Sequence, residues 1–143
     1  MIRVFQETDS DRLVEIWLKA SVLAHNFIPE EYWISHVGDM KDIYLPGSKN
    51  WVWMDHEDVV QGFVSMRECH VAALFVDPSR QGKGIGSGLL NHVKNLYPRL
   101  TLHVYSKNEP SVLFYQRHGL EIREESRCEA TGERELLMEW VRS

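Results

Sequence analysis

The stretch of this chain best suited to chemistry is Leu74-Phe75-Val76-Asp77-Pro78-Ser79-Arg80-Gln81-Gly82-Lys83-Gly84-Ile85-Gly86-Ser87-Gly88-Leu89-Leu90. An apolar run gives way to glycine at every second position from Gly82 to Gly88, then to Ile85, Leu89, Val93 and Leu96 on one helical stripe. Glycines carry no Cβ, so several backbone N–H groups can converge at a helix N-terminus, an arrangement that binds phosphate or pyrophosphate. Two familiar phosphate loops fail on spacing. A Walker loop needs glycine where Asp77 stands and a hydroxyl residue where Gly84 stands, and a dinucleotide fingerprint needs glycine at Ser87 or at Leu89. The histidines show no HxxxH or HxH spacing and Cys69 and Cys128 form no CxxC pair, so no metal site is expected.

The elements that must position this loop follow from periodicity. Ile2 and Val4 open a short strand. Thr8 and Asp11 suit a capping box for a helix with Leu13, Ile16, Trp17 and Ala20 on its apolar face. Pro29-Glu30-Glu31 starts a second helix, predicted to carry Trp33, Val37, Met40 and Tyr44 on one face until Pro46-Gly47 ends it. Trp51–Met54 and Val59–Met66 flank the charged tetrapeptide 55–58 as an antiparallel hairpin, and His70–Val76, apolar on both faces, reads as a central strand. The glycine-led helix closes at Pro98, and the strand Leu100–Tyr105 completes a parallel βαβ crossover. Asn108 is placed to cap a helix that ends at Gly119, and Leu120–Arg123 and Leu136–Val141 are the last strands. The predicted order is β-α-α-β-β-β-α-β-α-β-β. It implies one α/β domain over residues 1–143, a mixed sheet with helices on both faces. The five tryptophans fall at core or cleft-lining positions of these elements.

Gln81-x-x-Gly84-x-Gly86 directly after a strand resembles the acetyl-coenzyme A loop of the GNAT superfamily of N-acetyltransferases. The block from Asn108 to Leu120, NEPSVLFYQRHGL, is similar to the family's N-x-x-[AS]-x-x-F-Y-x-x-x-G-F helix, departing only in Leu120. The two blocks stand in the family's order, and the element order is that of the acyl-CoA N-acyltransferase fold. Trp17-Leu18, Tyr32-Trp33, Asn50-Trp51-Val52-Trp53 and Gly62-Phe63-Val64-Ser65 further resemble the small bacterial YiaC and YjaB type, regarded as protein-lysine acetyltransferases.

The resemblance implies specific roles. Backbone amides of Gln81, Gly82, Lys83, Gly84, Ile85, Gly86 and Ser87 would hold the coenzyme A pyrophosphate. Leu74, Phe75 and Val76 would run along the acetyl and pantetheine arm, with Leu74 N–H donating to the acetyl oxygen. Asn108 would contact the pantetheine or phosphate region, and Ser111 would lie near it. Tyr115 would be the general acid that protonates the leaving thiolate. A lysine of pKa about 10.4 is neutral in only about one molecule in 2,500 at pH 7, so its proton needs an acceptor. Glu68 and His70, at the start of the strand leading to the loop, are the candidate bases, with ordered water as the other path. Alternation puts His70 on the face of Ala72 and Leu74.

The formal charge of −5, from 16 basic and 21 acidic residues, argues against nucleic acid as the main partner. The longest apolar run, Val71–Val76, is far short of the roughly 20 residues that span a bilayer. The first residues carry no pattern of an export signal, and both cysteines read as reduced thiols, so a cytoplasmic protein is expected. Cys69 alone, without a base partner, does not build a covalent route, so direct attack in a ternary complex is expected. The acceptor would be a protein lysine. A small-molecule amine, an N-terminal α-amine and a non-catalytic acetyl-coenzyme A sensor are the alternatives. Glu124, Glu125, Glu129, Glu133 and Glu135 could attract a cationic amine or form a solvated edge. The exposed last strands allow a monomer or a homodimer.

Overall fold

The computed structural model describes residues 1–143. Strands Ile2–Val4 (β1), Lys49–Met54 (β2), Val60–Arg67 (β3), His70–Val76 (β4), Arg99–Tyr105 (β5), Glu121–Arg127 (β6) and Arg134–Val141 (β7) form one sheet in the order β1-β2-β3-β4-β5-β7-β6. Its central strand is β4, as its two apolar faces predict. Helices Ser10–Ala24 (α1) and Glu30–Ser35 (α2) pack on one face, where Leu13, Ile16, Trp17 and Trp33 meet Val52 and Phe63. On the other face Ile85–Leu96 (α4) buries Ile85, Leu89, Leu90 and Val93 against Val64, Leu100 and Leu102, and Glu109–Arg117 (α5) adds Val112, Phe114 and Tyr115. No helix is long and apolar enough to cross a membrane.

Several local expectations are corrected. The cap does not sit at Thr8. A 3₁₀ turn, Glu7–Asp9, precedes α1, and the Asp9 carboxylate accepts the Gln6 N–H at 2.8 Å while pairing with both Arg3 Nη atoms at 2.8 and 2.9 Å. A carboxylate with a cationic partner is the stronger acceptor. The second helix is not continuous either. After α2 the chain winds as a short turn, Val37–Asp39 (α3), and then as a π-helical turn over Met40–Tyr44. The cause is local: Ser35 Oγ and His36 Nδ1 both bond the Tyr32 carbonyl at 2.7 Å, and the His36 N–H turns to Trp33 instead. Met40 is buried, but Tyr44 is exposed beneath the Arg67 guanidinium. Leu96, at the end of the α4 stripe, is exposed as well.

Gly62 brings α4 onto β3. A Cβ there would lie 3.0 Å from Ile85 Cγ2 and 3.1 Å from the Phe75 carbonyl oxygen, which as backbone cannot move aside. Gly62→Ala is expected to lower stability by about 1–3 kcal/mol, the usual cost of overpacking. Urea unfolding of the two proteins checks this, and an unchanged midpoint would mean that the layer has room to spare.

Candidate functional site

One residue of β4 decides the geometry of the site. Ser65 pairs with Ala73 but Met66 pairs with Val71, so Ala72 is an extra residue, a β-bulge. It breaks the predicted alternation: Val71 shares a face with Leu74 and Val76 against α4, while Ala73 and Phe75 face the layer of α1. A bulge bends its strand. The β4–β5 register consists of a single parallel pair, His70 with Thr101, and beyond it the strands diverge into a cleft of about 1050 Å³.

The ladder fixes which groups look into that gap. Asp77 N–H donates to the Gln61 carbonyl at 2.8 Å on the β3 side. By alternation Phe75 and Ala73 turn their N–H and C=O groups toward β3 as well, and those of Leu74 and Val76 turn toward the gap. Consistently, Gln81 Nε2 reaches the Val76 carbonyl at 3.3 Å. A cofactor arm can therefore pair with β4 as a missing strand would.

The glycine loop closes one end. Gly82 and Gly84 sit at φ +80° and +82°, where L side chains are strained, so these two require glycine; Gly86 and Gly88 lie within α4. Gly88 N–H makes the first intrahelical bond, to Gly84 C=O at 2.9 Å. The amides of Ile85, Gly86 and Ser87 are thus left for an anion at the positive end of the helix. A polar network anchors the start of the loop. Asp77 Oδ1 accepts from Ser79 N–H and Oγ at 2.9 and 2.7 Å, and Arg12 from α1 donates to Asp77 Oδ2 at 2.9 Å and to the Val60 carbonyl at 2.8 Å. Burial pushes the Asp77 carboxyl up, but the Ser79 and Arg12 contacts outweigh it and hold the group below the usual range.

The cleft gathers most of the residues that the sequence singled out. Leu74, Phe75 and Val76 line one wall and Gln81, Gly82, Gly84, Ile85, Gly86 and Ser87 the loop end. Asn108, Ser111 and Tyr115 come from α5 and its start. Three candidates are not brought there. Lys83 is exposed and does not line the cleft. Glu68 is exposed in the β3–β4 turn at φ +53°. His70 lies at the closed end of the gap, its Nδ1 2.8 Å from Thr101 Oγ1 and its ring 5.2 Å from that of His103. Burial pushes its imidazole down, and His103 adds to the shift. The bulge and the single β4–β5 pair account for this placement, since the gap opens only beyond His70.

Tyr115 makes no hydrogen bond within the chain through its hydroxyl, and burial raises its phenol above the ordinary value, so it keeps its proton. Asn108 is buried at the start of α5, but its side chain does not cap the helix. Its Nδ2 lies 3.2 Å from His25 Nε2 instead. The sequence reading also missed His25, Tyr105, Arg80 and Arg117, all of which line the cleft, as does Glu135 from β7. No short-range signal marks His25, Tyr105, Arg80 and Arg117, because they converge from α1, β5, the loop and α5; Glu135 belongs to the acidic set that the sequence offers for a cationic amine.

Comparison with known proteins follows the same lines. The model of the Acetyltransferase (GNAT) family matches residues 10–120. The chain is 38% identical over 123 residues to the peptidyl-lysine N-acetyltransferase YiaC of Escherichia coli K12, covering 85% of this chain and 84% of that protein. It is 31% identical over 131 residues to the peptidyl-lysine N-acetyltransferase YjaB of the same strain, covering 92% and 88%. The solution structure of apo-form YjaB from Escherichia coli superposes with a TM-score of 0.88 at 28% identity, over 100% of this chain and 98% of that one. The PaiA N-acetyltransferase of Thermoplasma acidophilum, crystallised with coenzyme A, shares the fold with a TM-score of 0.85 at 18% identity, over 99% and 98% of the two chains.

Proposed function

The chain belongs to the GNAT family of acetyltransferases, and from that premise we propose that its one domain, residues 1–143, acetylates lysine ε-amines of proteins or peptides. The observation that carries the reading is the splayed β4–β5 gap, with the backbone edge of Leu74 and Val76 on one side and Tyr115 lining the same cleft. The relatives YiaC and YjaB, both named for peptidyl-lysine, support the choice of acceptor.

Acetyl-coenzyme A, the cosubstrate, supplies an acetyl group activated as a thioester. The residues present fit it: unpaired strand groups for an amide-bearing arm, and free amides at the positive end of α4 for a pyrophosphate. The amides of Gln81 to Ser87, Lys83 included through its backbone, hold the diphosphate, while Leu74, Phe75, Val76, Asn108 and Ser111 orient the arm. Leu74 N–H donates to the acetyl oxygen as negative charge grows there, a role a fixed amide performs without reorganising. Tyr115 protonates the sulfur as it leaves. The amine's proton departs through water in the cleft, which His103 and Glu135 line; His70 and Glu68 stand outside its walls. Cys69 and Cys128 are free thiols, which suits the reducing cytoplasm.

The test is acetyl-coenzyme A dependent release of free coenzyme A, with mass-spectrometric identification of product, against lysine peptides, peptides bearing only a free α-amine, polyamines and aminoglycosides. Lysine peptides are expected to show the highest kcat/KM. Turnover confined to the small amines or to α-amines would sink the lysine assignment, and tight cofactor binding with no acceptor would favour the sensing role.

A further inference from the structure

His25 is a buried imidazole that the chemistry above leaves unused. It closes the C-terminus of α1 at 7% exposure and lines the cleft. Its ring stacks on Trp33 at 5.2 Å between centroids and meets Phe27 and Tyr105 edge-on at 5.8 and 5.1 Å. Nε2 has one polar partner, Asn108 Nδ2 at 3.2 Å. Nδ1 is sealed from solvent, with the Ser21 backbone as its polar neighbour and no hydrogen bond of its own.

These contacts fix each other. An amide NH2 only donates, so Nε2 must carry the lone pair and Nδ1 the proton, toward the Ser21 carbonyl. The reverse arrangement, Asn108 Oδ1 accepting from Nε2–H, would aim a bare Nδ1 lone pair at that carbonyl. With Nδ2 held by the imidazole, Oδ1 is the atom that Asn108 has left for a ligand, and Asn108 lines the cleft beside Ser111.

We propose that His25 is a positioning residue that holds the Asn108 amide with its oxygen toward the cleft, where it accepts a hydrogen bond from an amide N–H of the coenzyme's pantetheine arm. The inference rests on the reading of Asn108 as a cofactor contact. It carries a pH dependence. A protonated imidazole has no lone pair, so Asn108 must turn its oxygen to His25 and present NH2 to the cofactor, a donor where an acceptor is needed. Burial pushes the His25 pKa down, so the acceptor is presented at neutral pH and lost as the pH falls through that lowered value. The titratable groups packed around the ring are Tyr105 from β5, Tyr32 behind Trp33, and Lys107 over Phe27, with Glu135 of β7 in the same cleft. Burial raises both phenols, which therefore stay neutral across this range.

Calorimetric coenzyme A binding from pH 7.5 downward, with NMR titration of the His25 ring, tests the proposal in wild type, His25→Gln, His25→Leu, Asn108→Ala and the double variant His25→Leu/Asn108→Ala. A glutamine oxygen can accept where Nε2 does and does not titrate. His25→Gln is therefore expected to bind like wild type at pH 7.5 and to lack the wild type's additional weakening of roughly 5- to 10-fold in acid, the worth of one hydrogen bond. Its curve also carries the titrations of the coenzyme's phosphate and of His118, which bonds Ser87 at 2.9 Å, so the difference between the two curves isolates His25. His25→Leu is expected to lose the same roughly 5- to 10-fold at every pH, and the double variant to bind no worse than Asn108→Ala. A pH slope in His25→Gln equal to that of wild type, wild-type binding by His25→Leu, or additive losses in the double variant would overturn the role of His25. Unchanged binding by Asn108→Ala would instead overturn the cofactor contact on which it stands. If His25→Leu melts below the assay temperature, the comparison of wild type with His25→Gln decides alone.

Discussion

Tyr115→Phe is expected to lower kcat by roughly a hundredfold or more, the usual contribution of a positioned general acid, while the coenzyme A Kd stays within about twofold. The substitution keeps the ring that packs with Phe114 and removes one oxygen, which makes no hydrogen bond inside the chain, so folding should be little affected. Burial raises the phenol, which means that rising pH does not strip its proton within the ordinary working range. On the proposed reading its role is donation, to the thiolate that leaves. Single-turnover release of free coenzyme A, measured beside calorimetric binding, separates chemistry from affinity. A loss of less than about threefold would mean that solvent protonates the sulfur and that Tyr115 is there for packing.

The glycine loop gives the second large effect, and three substitutions at Gly84 divide its causes. A Cβ on Gly84 would meet no atom of the chain within 4 Å, so within the protein the cost of a side chain there comes from its φ of +82°. The left-handed region costs an L residue roughly 1–2 kcal/mol, so Gly84→Val should weaken coenzyme A binding by about 5- to 30-fold. Asparagine tolerates this region, and Gly84→Asn should stay within about threefold. Gly84→Asp adds an anion where the diphosphate is to sit. It should lose at least as much as the valine variant, with a deficit that shrinks as salt screens the charge. Equal binding by all three would show that the diphosphate lies elsewhere.

The order of elements was legible in the sequence because each rests on neighbours within a few positions. Leu13, Ile16, Trp17 and Ala20 define their helix by period, and all four are buried on it. His70–Val76 reads as central from its two apolar faces, and Gly119, at φ +84°, ends its helix as a left-handed residue should. The loop from Gln81 to Ser87 and the helix carrying Tyr115 declare themselves by motif, and the fold brings both to one cleft.

What the sequence by itself determined is this local frame; the working geometry was decided by contacts between distant segments. A strand's own alternation cannot reveal a bulge, since Ala72 becomes an extra residue only against its partner β3. That one residue turned the faces of β4, and with His70 held beside Thr101 at the closed end of the gap, this one of the two candidate bases lies outside the cleft. Asn108 reads locally as a cap, yet its amide is taken by His25, 83 positions earlier in the chain. A side chain makes whichever bond the packed structure leaves within reach, and short-range spacing carries no record of that choice.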